Sequence, residues 1–568
     1  MLPHSASPKA STQLLGPVFL FTIATAAAMD VNNFDIWWHL AVGRFIVQGG
    51  GIPQTDPLSF TAGNIPWVDH EWLFQVLAYG LHTLGGVPAL VLLRVLCITA
   101  TAALVLRFTL RHSRADPAWM ALLLVPCLLA GRGRFVVRPE LFTLLFSTLL
   151  LTALLDFRDR PPSLRRLLWI PPLFALWSNL HGGMILGLAL FALFVGGRTL
   201  ESFLHLPPGP GHRPPLVPLW LTLGASALAG CLNPYGWKIY GVPFHLGPIV
   251  ESGLYRNSEW LPPSLPWSWL YFVVLAGTLL FLILHRRHVD LPALLPLLFL
   301  VFLSLRYIRN VALFSILAPV LVVCFAARSL EEPSDSPERS PLSSLVLAVL
   351  LLLASSFVLS SPFGFGIAER FIPVHATDFL AEHRPEGRLF NTIPVGGYAA
   401  WRLGPEQQIF VDGRNEVFAD LWRTYREAEQ DQNLWTRFLD EYGIQFALID
   451  FGQPDQRLTV PNPQGGPPRT EMRPYATLHF PRRHWALVAW DDAALVYLRR
   501  SPALDNLIGE YEFRCLLPED PARQHRILAS GRVPLDRCWQ ELERVMETNP
   551  ESWRAQELLD LFATSGGR

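Results

Sequence analysis

Residues Asp35–Val95 read DIWWHLAVGRFIVQGGGIPQTDPLSFTAGNIPWVDHEWLFQVLAYGLHTLGGVPALVLLRV, and the change of character along this stretch decides the fold. It begins after an apolar run near 14–31, passes through some fifty polar, proline-rich and tryptophan-rich positions, and ends in a second apolar run near 87–107. Runs of that length can cross roughly 30 Å of hydrocarbon as helices rising about 1.5 Å per residue. The intervening segment is therefore a long loop on one side of a membrane. Within it, Asp35 to Gln48 and Glu71 to Leu84 have helical patterning, and Pro53, Pro57 and Pro66 break the chain between them. Both helices are expected to lie along the membrane surface.

Similar windows recur near 118–131, 139–156, 166–180, 182–199, 217–232, 267–284, 290–305, 308–327 and 342–360. The expectation is a polytopic α-helical membrane protein with about eleven transmembrane helices. Cytoplasmic loops are enriched in Lys and Arg. With the N-terminus inside, the inner turns carry Arg107, Arg111 and Arg114; Arg158, Arg160, Arg165 and Arg166; Arg198 and Arg213; Arg286 and Arg287; and Arg328 and Arg339. An odd number of crossings then puts everything after 361 outside. The stretch near 14–29 lacks both a basic start and a small-residue cleavage site, so it reads as a retained first helix.

Composition agrees with this reading. The 568 residues are 51% hydrophobic and 16% charged, below the roughly one quarter charged expected of soluble domains. The 46 basic residues against 47 acidic ones give no basic excess, so nucleic acid is not an expected partner. Cys97, Cys127, Cys231 and Cys324 lie in or near apolar stretches, as small hydrophobes do. Cys515 and Cys538 fall in the polar tail, where an oxidising compartment would let them pair.

The residues beyond the last window alternate helical and strand patterns. Helix is expected near 375–384, around GGYAAW and within 418–442, with strands at RLFNTI, QQIFVD, IQFALID and WALVAWDD. This predicts an α/β soluble domain over 362–500 and a helical tail over 501–568, following a transmembrane domain over 1–361 that includes the surface helices of 32–84.

The candidate chemistry lies on the expected outer side. Asp35 and His39 share a helix face, a pair able to hold a proton or a metal; alternatively, Asp35 caps the helix and His39 lies in the interface with Trp37 and Trp38. Asp56, Asp69, His70 and Glu71 add further ionisable groups, each of which also reads as a structural loop residue. Arg132, Arg134, Arg138, Arg306 and Arg309 sit at outer helix ends, against the positive-inside trend. Guanidinium groups bind phosphate bidentately, and the competing reading is snorkelling or pairing with acids such as Glu140 and Asp35. HGG at His181 and NPYG at Asn233 read as helix stops, and PVGGYAAW and FVDGRNEVF as strand-to-turn junctions facing a shared cleft.

The acidic Asp35 after the first helix, the two surface helices, HEWLFQVLAYGLHTLGGVPALVLLRV and RPELFTLLF together resemble the GT-C superfamily of membrane glycosyltransferases over roughly 14–330. More distantly, GGYAAW and VDGRN resemble the WWDYG-like segment and acidic turn of oligosaccharyltransferase catalytic subunits, although the tryptophans and aspartate of that motif are missing here. The chain is also similar to a group of bacterial membrane proteins sharing DxWWHL and VDGR. The resemblance implies an enzyme of the bacterial inner membrane. It would take a sugar from a polyprenyl-phosphate donor and pass it to a lipid, glycan or protein acceptor outside.

The resemblance further implies that Asp35 acts as general base or metal holder with His39 as helper, and that a divalent ion, magnesium or manganese, could be held with Asp56. Arg132, Arg134, Arg138, His181, Arg306 and Arg309 would bind the lipid phosphate, with Tyr398, Asp412 and Arg414 joining the substrate site. Two other functions share these features: a lipid or polysaccharide transporter, and a noncatalytic assembly protein. Internal repeats and interrupted helices would mark the transporter.

Overall fold

Apolar length, proline and glycine explain most of the helical part. In the computed structural model, residues 8–113, 116–159, 164–205, 215–244, 258–329, 342–360, 363–460, 469–529 and 535–566 are described. Contacts divide the chain into two units, one from 1–31, 68–250 and 256–366, the other from 32–67, 251–255 and 367–568.

In the first unit, each of the eleven apolar windows contains a helix. Among the described residues, six helices are long and apolar enough to cross a membrane: Trp72–His112, Glu140–Arg158, Met184–Phe203, Ser258–Leu284, Ile308–Phe325 and Leu342–Leu359. Gln13–Ala27, Pro117–Ala130, Leu216–Ala229 and Leu291–Arg306 are shorter apolar helices, and Ile170–Leu180 is shorter still. Prolines at the first or second position of several of these helices fix where they begin. The 41-residue run Trp72–His112 is broken inside, because Gly85 and Gly86 leave helical angles, Gly86 at φ 63°. Glycine adopts that conformation without a Cβ penalty, and Pro88 then restarts the helix. The surface segment and the apolar run after it are thus two helices that meet at Gly85 and Gly86.

Polar turns of this unit gather in two sets. Arg158 pairs with Asp290 at 2.6 Å, Asp290 caps the helix from Leu291, and Glu201 accepts the Leu291 N–H at 2.9 Å. These come from turns expected inside; Arg114, Arg160, Arg213 and Arg339 lie outside the described residues. In the other set, the Trp72 indole donates to Asn179 at 2.8 Å, and Asn179 donates to the Leu232 carbonyl at 2.8 Å. Three turns expected outside are joined there.

The second unit is built on a four-stranded sheet of β1 Arg388–Asn391, β2 Ile444–Asp450, β5 Trp485–Trp490 and β6 Ala494–Arg499, in the order β1-β2-β6-β5. β1 and β2 are parallel, and the other pairs are antiparallel. A separate antiparallel pair, β3 Gln456–Val460 with β4 Arg469–Arg473, is the other sheet among the described residues. From Phe446 onward side chains alternate across β2, Ala447 and Ile449 entering one core and Phe446 and Leu448 the other; Ile444, before a register shift in the β1 pairing, joins the core of Ala447. Helices Val374–His383, Ile393–Leu403 and Asp505–Tyr511 cover the second face, while Ala419–Ala428, Gln432–Glu441 and the later tail helices cover the first.

Three sequence readings change here. QQIFVD is extended but lies outside the sheet; Ile409 instead exchanges backbone hydrogen bonds with the 58–60 loop, donating to Leu58 at 3.1 Å and accepting from Phe60 at 3.2 Å. Residues 32–67 group with the C-terminal domain and not with the membrane helices. The tail is part of the domain core, with Leu528, Cys538, Leu542, Val545, Leu558 and Phe562 buried in it. Asp492 accepts from the Ser552 hydroxyl and from the N–H groups of Trp553 and Arg554, anchoring the final helix to the β5–β6 turn.

Cys515 and Cys538 form a disulfide, and the other four cysteines are free. The bond closes a sequence separation of 23 residues, worth about 2–4 kcal/mol through restriction of the unfolded chain. Cys538→Ser should lower the thermal stability of the C-terminal unit accordingly. Alkylation of denatured wild type without reductant should label only Cys97, Cys127, Cys231 and Cys324; labelling at Cys515 would rule the bond out.

Candidate functional site

In the second unit, the DIWWHL motif forms the helix Asp35–Phe45, with Asp35 in its first turn where a carboxylate complements the helix dipole. Helix Ile393–Leu403 holds it. Trp37 meets Tyr398 edge to face at 4.8 Å, and Arg44 donates to the Ala400 carbonyl at 3.3 Å. The glycines of GGYAAW permit this approach. A Cβ on Gly397 would stand 2.7 Å from the Phe34 carbonyl oxygen, and one on Gly396 would collide with that of Val411. Gly413 brings the VDGRN turn equally close, since its Cβ would lie 2.6 Å from Asp35 Oδ1.

The rest of that turn is an ion trio. Arg414 contacts Asp412 Oδ2 at 2.6 Å and Asp56 Oδ1 at 2.8 Å, with all three side chains sealed from solvent. Its guanidinium also lies 4.7 Å from the Trp67 ring. Burial pushes the Asp412 carboxyl up, against the opposing pull of Arg414. Asp56 additionally accepts the N–H groups of Leu58 and Ser59. Among the described residues, no group of three or more His, Cys, Asp or Glu side chains is arranged to hold a metal ion. Asp56 is committed to Arg414 and its own loop. His39 is buried with its ring centroid 3.6 Å from that of Trp38, and burial raises the Tyr398 phenol. Asn391, which sequence reading did not single out, joins strand to turn by accepting from Phe410 N–H at 2.8 Å and donating to the Val411 carbonyl at 2.6 Å.

In the first unit, three of the five arginines expected on the outer side converge. Arg134 pairs with Glu140 and, at 2.7 Å, with Glu259; Arg138 reaches the same Glu259 oxygen at 2.5 Å. Arg309 lies over Trp260 at 4.6 Å, and its charge also acts on Glu259. Arg132 instead donates to the Ala26 carbonyl and lies over Phe357, and Arg306 lies beside Tyr307.

His181 belongs to the same centre. Its Nδ1 is 2.6 Å from Thr143 Oγ1 and its Nε2 is 3.6 Å from Glu71 Oε1. Burial first, then His70, Arg309, Arg134 and Arg138, hold the imidazole well below its ordinary value. HGG reads in sequence as a helix stop, with His181 named only through the resemblance, and Glu259 carries no local signal.

Asp69 is 1% exposed, with Oδ1 accepting from the Gln75 amide at 2.6 Å, and burial pushes its carboxyl up to about 7. The folded state keeps a proton there that an unfolded chain releases near 3.8. Folded chains bind more protons between these values, so stability falls as pH rises from about 4 to 7, by roughly 4 kcal/mol. Asp69→Asn should remove this slope and stabilise the protein above pH 7, as measured by thermal unfolding across pH 4–8. An unchanged slope would show that Asp69 ionises normally.

Comparison with family models and with curated proteins gives no match for this sequence. Solved structures do match. The archaeal oligosaccharyltransferase AglB from Archaeoglobus fulgidus, in complex with an inhibitory peptide and a dolichol-phosphate, aligns with 99% of this chain and 86% of its own at TM-score 0.54 and 10% identity. The apo form of the Archaeoglobus fulgidus oligosaccharyltransferase covers 85% of this chain and 80% of its own, at TM-score 0.53 and 11% identity. A complex of that enzyme with Zn and sulfate covers 93% and 84%, at TM-score 0.50 and 12% identity. These likenesses show the fold: the chain shares the predominantly helical membrane-protein architecture of these oligosaccharyltransferase structures.

Proposed function

We propose that this chain is a membrane glycosyltransferase that takes a sugar from a polyprenyl-phosphate donor and delivers it to an acceptor on the outer side of a bacterial inner membrane. The observation that carries the reading is the convergence of Arg134, Arg138 and Arg309 on Glu259. Two carboxylates, Glu140 and Glu259, face three guanidiniums, so positive charge remains in excess. A phosphate can exchange with these carboxylates or add to them, and arginine binds it bidentately. The dolichol-phosphate bound by the archaeal enzyme of the same fold supports a ligand of this kind. The disulfide supports an oxidising compartment for the C-terminal unit.

In this reading the arginines stabilise the charge that develops on the departing phosphate; Asp35 enters from the family resemblance alone, as the group that takes the proton of the acceptor hydroxyl. The Gly413 approach and the Trp37–Tyr398 contact hold the Asp35 helix in place. No step is assigned to a metal ion. Arg138→Ala should weaken undecaprenyl-phosphate binding by about 1.5–3 kcal/mol, read by titration of the purified chain. Asp35→Asn should bind the lipid normally but lower transfer from a lipid-linked sugar by about 10²–10⁴. Wild-type affinity in the first variant would leave the arginines as structural cations. Wild-type transfer in the second would remove Asp35 from the reaction, and binding without transfer in wild type would favour the assembly-protein role.

A further inference from the structure

The proposed reaction leaves His70, Glu71 and Thr143 without a role, yet their geometry fixes where protons sit. The Trp177 indole, which can only donate, gives its hydrogen bond to Thr143 Oγ1 at 3.0 Å. The threonine proton is then directed at His181 Nδ1, 2.6 Å away. The backbone N–H of Gly183 points at the same ring nitrogen at 3.2 Å. Two donors on one nitrogen require a lone pair there, so His181 is neutral and carries its proton on Nε2. That Nε2–H faces Glu71 Oε1 at 3.6 Å.

The second histidine has the opposite arrangement. His70 Nδ1 lies 3.2 Å from the Val68 carbonyl oxygen, an acceptor only, so Nδ1 holds a proton. Its Nε2 faces Glu71 Oε1, the oxygen that His181 also faces, at 3.6 Å. A neutral His70 would turn a lone pair toward a carboxylate, which is repulsive. One proton placed between them, on either partner, makes the contact attractive. The charged and titratable neighbours of this centre include Asp69, Arg134, Arg138 and Arg309, with Glu140 and Glu259 paired to those arginines. His70 and Glu71 keep 15% and 14% of their side-chain surface, so their proton can be renewed from water.

We infer that His70 and Glu71 hold one shared proton, with neutral His181 keeping Glu71 in position, and that this proton goes to the departing lipid phosphate. The second half rests on the glycosyl-transfer reading. As the bond from the sugar anomeric carbon to the phosphate oxygen breaks, its electron pair stays on that oxygen, which takes the shared proton. The acceptor oxygen forms the new bond and gives up its own proton to a separate base. Water then restores the proton to His70 and Glu71. The phosphate leaves with one fewer negative charge.

Nitrogen-15 spectra of histidine-labelled full-length protein in lipid nanodiscs test the proton assignment without any substrate. His181 should show an unprotonated Nδ1 and a protonated Nε2 in wild type, and Glu71→Gln should change the His70 Nε2 signal while leaving that of its Nδ1 in place. Thr143→Val should let His181 titrate nearer its ordinary value. A doubly protonated wild-type His181, or a His70 Nε2 signal indifferent to Glu71→Gln, would overturn the shared proton. For the transfer role, Glu71→Gln should reduce kcat about 10²-fold at unchanged donor KM and flatten the alkaline limb of the pH profile, with Glu71→Asp recovering part of the loss. An unchanged kcat would overturn that role. Wild type inactive with every lipid-linked sugar would overturn the glycosyl-transfer reading and the delivery step with it, while the spectra still decide the shared proton.

Discussion

The Arg414 guanidinium, held between Asp412 and Asp56 with every side chain sealed from solvent, is the interaction on which the second unit depends. Burying three charges is costly unless each is paired and hydrogen-bonded, and removing one partner of such a group typically costs about 3–5 kcal/mol. That constraint joins residues more than three hundred positions apart. It fastens the first loop to the turn after Val411, and in doing so it brings Gly413 against Asp35. The Asp35 helix then needs little of its own to hold it: Gly397 admits it, and Tyr398 and Ala400 receive Trp37 and Arg44.

The first unit meets a different constraint. Arginines at helix ends in a low-dielectric surround are tolerated when acids or ligands compensate them. Glu140 and Glu259 compensate two of the three that converge, and the imidazole of His181 is kept neutral by the same positive field and by two donors on Nδ1. Charge excess, a fixed neutral imidazole and a neighbouring acid form one electrostatic arrangement. Each part sets the protonation of the next, which is why His181 serves better as a positioning donor than as a cation for phosphate.

Much of the membrane half was legible because hydrophobic length and proline placement are local signals. The break at Gly85 and Gly86 could be read the same way, and the helix over GGYAAW follows from its pattern. What escaped was non-local. QQIFVD has strand composition, but Asn391 takes the hydrogen bonds of Phe410 and Val411 that a sheet neighbour would otherwise satisfy. β6 was missed because the short Asp491–Asp492 turn follows β5 almost at once. Arginines set against the positive-inside expectation pointed to a cluster, yet Glu259, some 120 positions from Arg138, decides which of them meet. The first loop carries no composition that assigns it to the C-terminal domain; a buried ion trio and a few close glycine contacts do so.

The central claim is that Arg134, Arg138 and Arg309 form a lipid-phosphate site, and a structure of the full chain determined with undecaprenyl phosphate in nanodiscs tests it most directly. The account predicts the phosphate within about 3 Å of at least two of these guanidiniums, with the prenyl chain leaving along the apolar helices. A phosphate bound elsewhere, with the Arg134 and Arg138 pairs to Glu259 unaltered and no lipid beside them, would contradict it.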